Sequence, residues 1–467
     1  MDKLLKRPSQ IQPIETAGRF EKFKLTENPF PSEPVVNKDS TDKRINGGIY
    51  EIEIRKKEYG QISKSFLKIP QSNPTHLRLG FIIDTSYIGR GNGKSAFLIN
   101  LQQMINKDYC LDISDDLNKC FAIYVAPEPG GRTKTFQSFV DLFFKSILGS
   151  NIIEYCLASL RLDAIYKIYP NINLDGDIKD DENKLISSLN SQEWLIKKGI
   201  DWTKLDALIC GNEFLQDIPP NFPLFRGRTT LFHPFISQDN FKRHYIEQRK
   251  ERDKYDFVFS YLIRFFQASG FNGAYVLVDD FERIPDFQSE RQKKDFALEL
   301  RLCLYDGIYV NAKIGFYNLI LVLHAGVERL ISDAWTGSGM ENRAPLSPKT
   351  TSKHIIPFEK LSREHALLLI KKYLEEYRSE GGVEPIFPFN EEAIKTIGEL
   401  SEYNAAKILK MSYDLLDKAS EAEKLQIIDK KFVEENKMVQ KETVDRSIST
   451  IEDEESTDLM KKAGIEE

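Results

Sequence analysis

A 467-residue chain with 41% hydrophobic and 29% charged residues has the make-up of a globular protein with material for two or three domains. Its formal net charge of −6 is matched by residues 421–467, where 14 acidic face 8 basic side chains; the remainder is balanced and gives no overall basic surface for nucleic acid. Five scattered cysteines (Cys110, Cys120, Cys156, Cys210, Cys303) without a CxxC pair exclude a disulfide framework or zinc ribbon, and with no leader-like start or long apolar run the chain is expected to be cytoplasmic, without a membrane span.

Residues 1–47 are rich in Pro, Lys, Glu and Thr and predict an extended arm on another domain, its one compact apolar feature being "LTENPFPSEPVV" (Leu25 to Val36). Alternation around Ile49, Glu51 and Ile52 predicts a short hairpin next. From Leu77 the pattern becomes strand, glycine-rich turn, helix: "LRLGFIID", "SYIGRGNG", "KSAFLINLQQMIN". "CFAIYVAP" (Cys120 to Pro127) and the amphipathic "TKTFQSFVDLFFKSIL" follow, and this alternation argues for a parallel sheet covered on both faces.

Residues 150–240 interrupt the alternation and are expected to be an insertion into a core spanning 48–350. The pattern resumes with one long helix over Lys242 to Gly270, the strand "AYVLVDD", a charged helix around Glu290 to Tyr305 and the strand "NLILVLHAG". After "APLSPKT" the strand signal disappears. Helices are expected over Ser362 to Arg378, Glu391 to Leu400 and Asn404 to Lys418, with Asn390 as an N-cap between staple residues Phe389 and Ile394. They form a helical lid at 351–420, before a charged, partly disordered tail at 421–467.

The chemistry concentrates in "GRGNGKSAF". A phosphate loop presents successive backbone N–H groups at a helix N-terminus, and glycines let the chain approach the anion without a Cβ clash. Lysine adds a mobile charge for the β- and γ-phosphates, and the next hydroxyl ligates Mg²⁺. Gly89, Arg90, Gly91, Asn92, Gly93, Lys94, Ser95 and Ala96 are therefore the expected phosphate set. The strict pattern wants glycine at 88, where this chain has Ile88; Gly89 takes over part of that task.

A nucleotide site also needs an acid on the metal side and another to orient water, both at the end of a neighbouring strand. "YVLVDDFERI" offers Asp279 for Mg²⁺ and Asp280 for the water, with Glu282 as a contributor; the alternative is that the aspartates cap the next helix.

Together "GRGNGKS", "VLVDDFE", the interposed strand "CFAIYVAP" and the helices from Ser362 to Ala419 resemble the AAA+ and STAND ATPases of the additional-strand P-loop group, over roughly residues 71–420. The resemblance is to origin-recognition-like and transposition-regulator-like members. It implies a three-layer α/β P-loop core with a mainly parallel sheet, a small all-helical lid, and ATP with Mg²⁺ between them. It also implies that Asn28, Pro29 and Phe30 of "NPFP" lie near the adenine, and that His324 holds the γ-phosphate sensor position usually given to Asn, Thr or Ser. Arg343 is placed as an arginine finger for a neighbouring subunit, with Arg329 as runner-up. "EYNAAKILK" matches the lid turn that presents a sensor arginine, but only Lys407 carries a charge there.

The expected activity is ATP hydrolysis, slow or partner-stimulated, driving a conformational or assembly switch on DNA or a protein partner, in a mobile-element or antiviral setting. A homo-oligomer or hetero-complex is expected. The alternatives are a nucleotide-binding scaffold with little or no hydrolysis, and a small-molecule kinase, against which the added strand and lid argue. The charged helix "KRHYIEQRKERDK" is expected to be a solvated face, and pairs such as Phe143 and Phe144 to fill core.

Overall fold

The computed structural model describes residues 18–66, 77–85, 90–109, 119–174, 181–225, 236–346, 352–379, 381–422 and 424–436. At its centre are five parallel strands, β1 (Leu79–Asp84), β2 (Cys120–Val125), β3 (Gly273–Val278), β4 (Tyr317–Leu323) and β5 (Ile355–Phe358), in the order β2-β3-β4-β1-β5. The first four are nearly continuous apolar runs because both sheet faces are covered. Leu79, Phe81 and Ile83 of β1 join one core and Ile82 the other; Val276 and Leu277 of β3 divide the same way.

Helix α1 (Lys56–Ser65) and α2 (Lys94–Asp108) cover one face. The other is covered by α3 (Phe136–Gly149), α4 (Ile152–Ile168), α5 (Leu262–Ala268), α6 (Glu290–Arg301) and α7 (Glu328–Gly337). Helices at Glu182–Leu189, Gln192–Lys197 and Trp202–Cys210 extend that larger core through Leu189, Leu195, Leu205 and Ile209.

A helical unit follows the sheet: α8 (Arg363–Glu376), α9 (Glu391–Leu400), α10 (Ala405–Glu421) and α11 (Lys430–Asn436). Asn390 caps α9, accepting from the Ala393 amide at 2.8 Å, and Phe389 and Ile394 flanking it are buried. Phe20, Phe23, Leu25 and Phe30 from the N-terminal segment fill this unit's core, where Phe30 stacks on Tyr373 with ring centroids 6.0 Å apart. The fold is therefore α/β with an all-parallel central sheet and a following helical domain.

Four expectations fail. Residues 52–65 are a 3₁₀ turn running into α1, not a hairpin: "KKEYGQISKS" buries Glu58 and Ile62 at helical spacing, and the alternation ends at Ile54. A fifth strand exists beyond "APLSPKT"; β5 is four residues long, contains Pro357 and pairs only with β1, the edge position where proline costs least. The long helix breaks at Gln248 to Lys250, whose backbone is extended at both ends, and continues as Glu251–Asp256, a π segment at Phe257–Tyr261, and α5. "CFAIYV" is the edge strand β2, and the strand lying between β1 and β3 is β4.

Candidate functional site

At the C-terminal ends of β1, β3 and β4 the sheet and the helical unit enclose a cavity of about 610 Å³. This is the crevice where open parallel sheets place ligands, and the volume lies within the roughly 300–1,000 Å³ of small-molecule sites. Arg90 to Ala96, Asp279, Asp280 and His324 line it; Gly89 lies outside the described residues.

Gly91 (φ 100°) and Gly93 (φ 85°) take the left-handed conformations that fold the chain into α2. The carbonyls of Arg90, Gly91 and Asn92 are all occupied. Asn404 Nδ2 donates to the first at 2.9 Å, the Ala406 amide to the second at 2.9 Å and Arg55 Nη2 to the third at 3.3 Å. Because trans peptides are planar, the N–H groups of Gly91, Asn92 and Gly93 point the opposite way. Among the described residues none accepts from them. With the first turn of α2 they make a set of donors suited to an oxyanion. At Gly91 a Cβ would lie 2.7 Å from that of Ala406, so glycine permits the helical unit to pack on the turn.

Lys94 is buried beneath the turn, its Nζ 2.6 Å from Asp84 Oδ2 and 3.1 Å from His324 Nδ1. With Lys94 donating to Nδ1, the imidazole hydrogen sits on Nε2, which is 3.5 Å from Asp280 Oδ1 and 3.2 Å from Glu282 Oε1. Ser95 lies close enough to Asp279 to pull its pKa down, and Tyr124 Oη donates to Asp279 Oδ2 at 2.6 Å. Burial, with Asp280 adding, raises Asp279 above the usual carboxylate range, opposed by those two side chains. The chain thus brings together the lysine–serine pair and the twin aspartates, 184 residues apart or more.

Asp280 occupies a left-handed turn (φ 42°) that swings its carboxylate toward His324. Against the cost of burial, the His324 hydrogen bond and the Arg283 charge hold it below its ordinary range. Glu282 is 3% exposed and stands behind His324, outside the cavity wall. Its Oε1 is at ion-pair distance from Nε2 but outside hydrogen-bond geometry, and neither oxygen has a hydrogen-bond partner. Burial pushes this carboxyl up to about 7, against the opposing pull of His324.

That shift has a sign. Between about pH 4.5 and 7 the folded protein holds a proton that the unfolded chain has released, so stability falls as pH rises through this window. Glu282→Gln is expected to flatten the fall, which amounts to roughly 2–3 kcal/mol. Urea unfolding of both proteins at pH 5 and pH 8 measures it; equal slopes in the two would count against a buried, protonatable Glu282.

The other expected residues lie elsewhere. Asn28, Pro29 and Phe30 are buried behind the cavity, Asn28 Nδ2 donating to the Tyr413 carbonyl at 3.2 Å; Pro31, Pro34, Val35 and Val36 line it instead. Lys407 Nζ pairs with Glu402 at 3.0 Å and does not reach the wall, where among the described residues the helical unit offers only Leu361, Leu369, Tyr373, Ala405, Ala406 and Leu409. Arg343 sits at the opposite end of the sheet. Its Nη2 is 2.6 Å from Asp306 Oδ1, beside Tyr305 and near Arg78, which precedes β1. Arg329 is exposed on α7.

Sequence reasoning overlooked three contributors. Asp84 holds Lys94, Tyr124 holds Asp279, and Arg55 braces the turn. Arg55 is 3% exposed, packs its guanidinium 3.6 Å over the Phe358 ring, and reaches Asn92, Glu58 and the Glu359 carbonyl. Buried arginine in a short amphipathic turn is a weak signal; the tyrosine and the strand-end aspartate carry none.

No family model matches the chain, and no curated protein matches it. Among solved structures, the ORC2 protein of Aeropyrum pernix, determined in ADPNP–ADP complexes, is similar over 83% of this chain and 67% of that one, at 9% sequence identity and a TM-score of 0.43. Among the described residues no helix is long and apolar enough to cross a membrane.

Proposed function

We propose that the chain is a P-loop ATPase of the AAA+/STAND type, binding ATP with Mg²⁺ between the sheet and the helical lid and hydrolysing it slowly. The observation that carries this reading is the meeting of Ser95 with Asp279 beside the buried Lys94, under a turn whose amides face away from the lid. The donor set fits the cofactor. Ser95 and Asp279 supply hard oxygen ligands for Mg²⁺, which when bound neutralises phosphate charge.

In this reading Gly91, Asn92, Gly93 and the start of α2 hold the phosphates, and Lys94 donates to them. Asp280, at the cavity wall, orients water. His324 accepts from Lys94 and stands at ion-pair distance from Asp280 and Glu282. The apolar wall from Pro31 to Val36 and from Leu369 to Leu409 suits a purine base.

The lid seats directly on the phosphate turn through Asn404 and Ala406, so nucleotide state would alter the lid's position and with it the surface shown to DNA or a protein partner. An oligomer or hetero-complex in the cytoplasm is the expected working form. The second reading, a scaffold that binds without appreciable turnover, is favoured by a lid wall that, among the described residues, carries no cation to set over the leaving phosphate.

ATP binding, turnover and sedimentation measured with and without double-stranded DNA test these readings. Micromolar binding with turnover that rises on adding DNA is expected for the switch; binding with negligible turnover in every condition selects the scaffold. No ATP binding at all would sink both.

A further inference from the structure

We propose that Asp84 is a resident counter-anion for Lys94 that lowers, and thereby sets, the affinity of the site for nucleotide phosphates; this rests on the nucleotide-binding reading above. Residue 84 closes β1 and residue 94 opens α2, so the intervening turn returns the lysine to the end of its own strand. There Nζ lies 2.6 Å from Asp84 Oδ2, with the two side chains 5% and 2% exposed.

An ammonium has three hydrogens. Asp84 takes one and the ring nitrogen of His324 another, leaving a third for a phosphate oxygen. Asp84 therefore does not block the contact. It cancels the charge that makes the contact strong, and its own negative charge repels an anion arriving at the same ammonium. Both effects are large where water is excluded, because Coulomb interaction is weakly screened there. Of the other cations on the wall, Arg44 is paired with Asp42, Arg55 with Glu58 and Arg283 with Asp280, while Arg90 is exposed, where water screens its charge. The product is a site with the geometry of a phosphate cradle and a muted charge, suited to nucleotide exchange.

The opposite role is distinguishable. If Asp84 serves to aim Lys94 at the phosphate, removing its charge weakens binding; if it competes, the same change strengthens binding. Asp84→Asn keeps the shape and an acceptor for Lys94 while deleting the charge. With Mg²⁺ present, calorimetric titration of the full-length variant is expected to give Kd values for ATP and ADP at least tenfold lower than wild type, mainly through slower dissociation. Asp84→Ser, smaller and also neutral, is expected to shift in the same direction and serves if the asparagine variant does not fold, as judged by thermal unfolding without nucleotide.

Lys94→Ala run in parallel separates the two levels of the argument. Wild type that binds no nucleotide removes the nucleotide reading itself. Wild type that binds, with Lys94→Ala that does not and Asp84→Asn that binds equally or more weakly, overturns the counter-anion role alone.

Discussion

Lys94→Ala is expected to cut ATP turnover roughly 10²–10³-fold and to abolish measurable ATP binding at micromolar concentrations, the largest functional effect of any single change in the chain. The ammonium is the only lysine on the cavity wall among the described lining residues, and it is buried, so water does not substitute for it. The same change has a structural cost. It leaves the Asp84 carboxylate buried beside an apolar gap, and breaking a buried pair from one side costs about 3–5 kcal/mol. Lower thermal stability is therefore expected alongside lost binding, and the two must be separated. Lys94→Met combined with Asp84→Asn removes both charges and roughly keeps the volume. It is expected to recover most of the stability and none of the binding. Equilibrium binding and urea unfolding on the three proteins decide the matter: ATP bound with wild-type affinity by either lysine variant would show that the cavity is not a phosphate site.

The sequence carries the layers of this fold better than their arrangement. β1 to β4 stand out because strands covered on both faces are apolar at nearly every position, and five or six such residues in each, between turn signals, leave few alternatives. β5 gives no such signal, since a four-residue edge strand with a proline has neither length nor composition to mark it. Strand order is not written locally at all. The interposed strand is β4, which arrives last of the four, and "CFAIYV", which follows the phosphate turn in the chain, ends at the edge.

The same division runs through the site. Lys94 and Ser95 are adjacent in the sequence, as are Asp279 and Asp280, and the fold sets both pairs on one cavity wall. Tyr124 and Arg55 are not legible in the sequence, because each acts across the fold: Tyr124 on an aspartate 155 positions away, Arg55 on a carbonyl 304 positions away. The lid shows a third case. Its turn was legible at Asn404, yet what that turn does here depends on Ala406, whose amide meets the Gly91 carbonyl, and not on the charged Lys407 that attracts attention in the sequence.

Arg55→Ala is expected to be the most destabilising substitution outside the hydrophobic cores, by about 3–5 kcal/mol, because it strands the Glu58 carboxylate, 9% exposed, without its cation. Desolvation already lowers the guanidinium from its ordinary value, and what keeps it charged there is Glu58, the Glu359 carbonyl and the face of Phe358. Arg55→Lys is not a rescue. An ammonium has no planar fork with which to reach Glu58, Glu359 and both oxygens of Asn92, and it does not stack flat on a ring. The informative comparison is the pair Arg55→Met, Glu58→Leu, which removes both charges and fills the space. If Arg55 serves only to neutralise Glu58, that double variant recovers stability and nucleotide affinity together. If it also braces the phosphate turn through Asn92, stability returns while ATP affinity stays at least tenfold reduced, because Asn92 then keeps only its contact to the Glu359 carbonyl at 3.1 Å. The second outcome is expected, since holding a carbonyl turns the amide that follows it the other way, and Arg55 is the described side chain that holds the third of the turn's carbonyls.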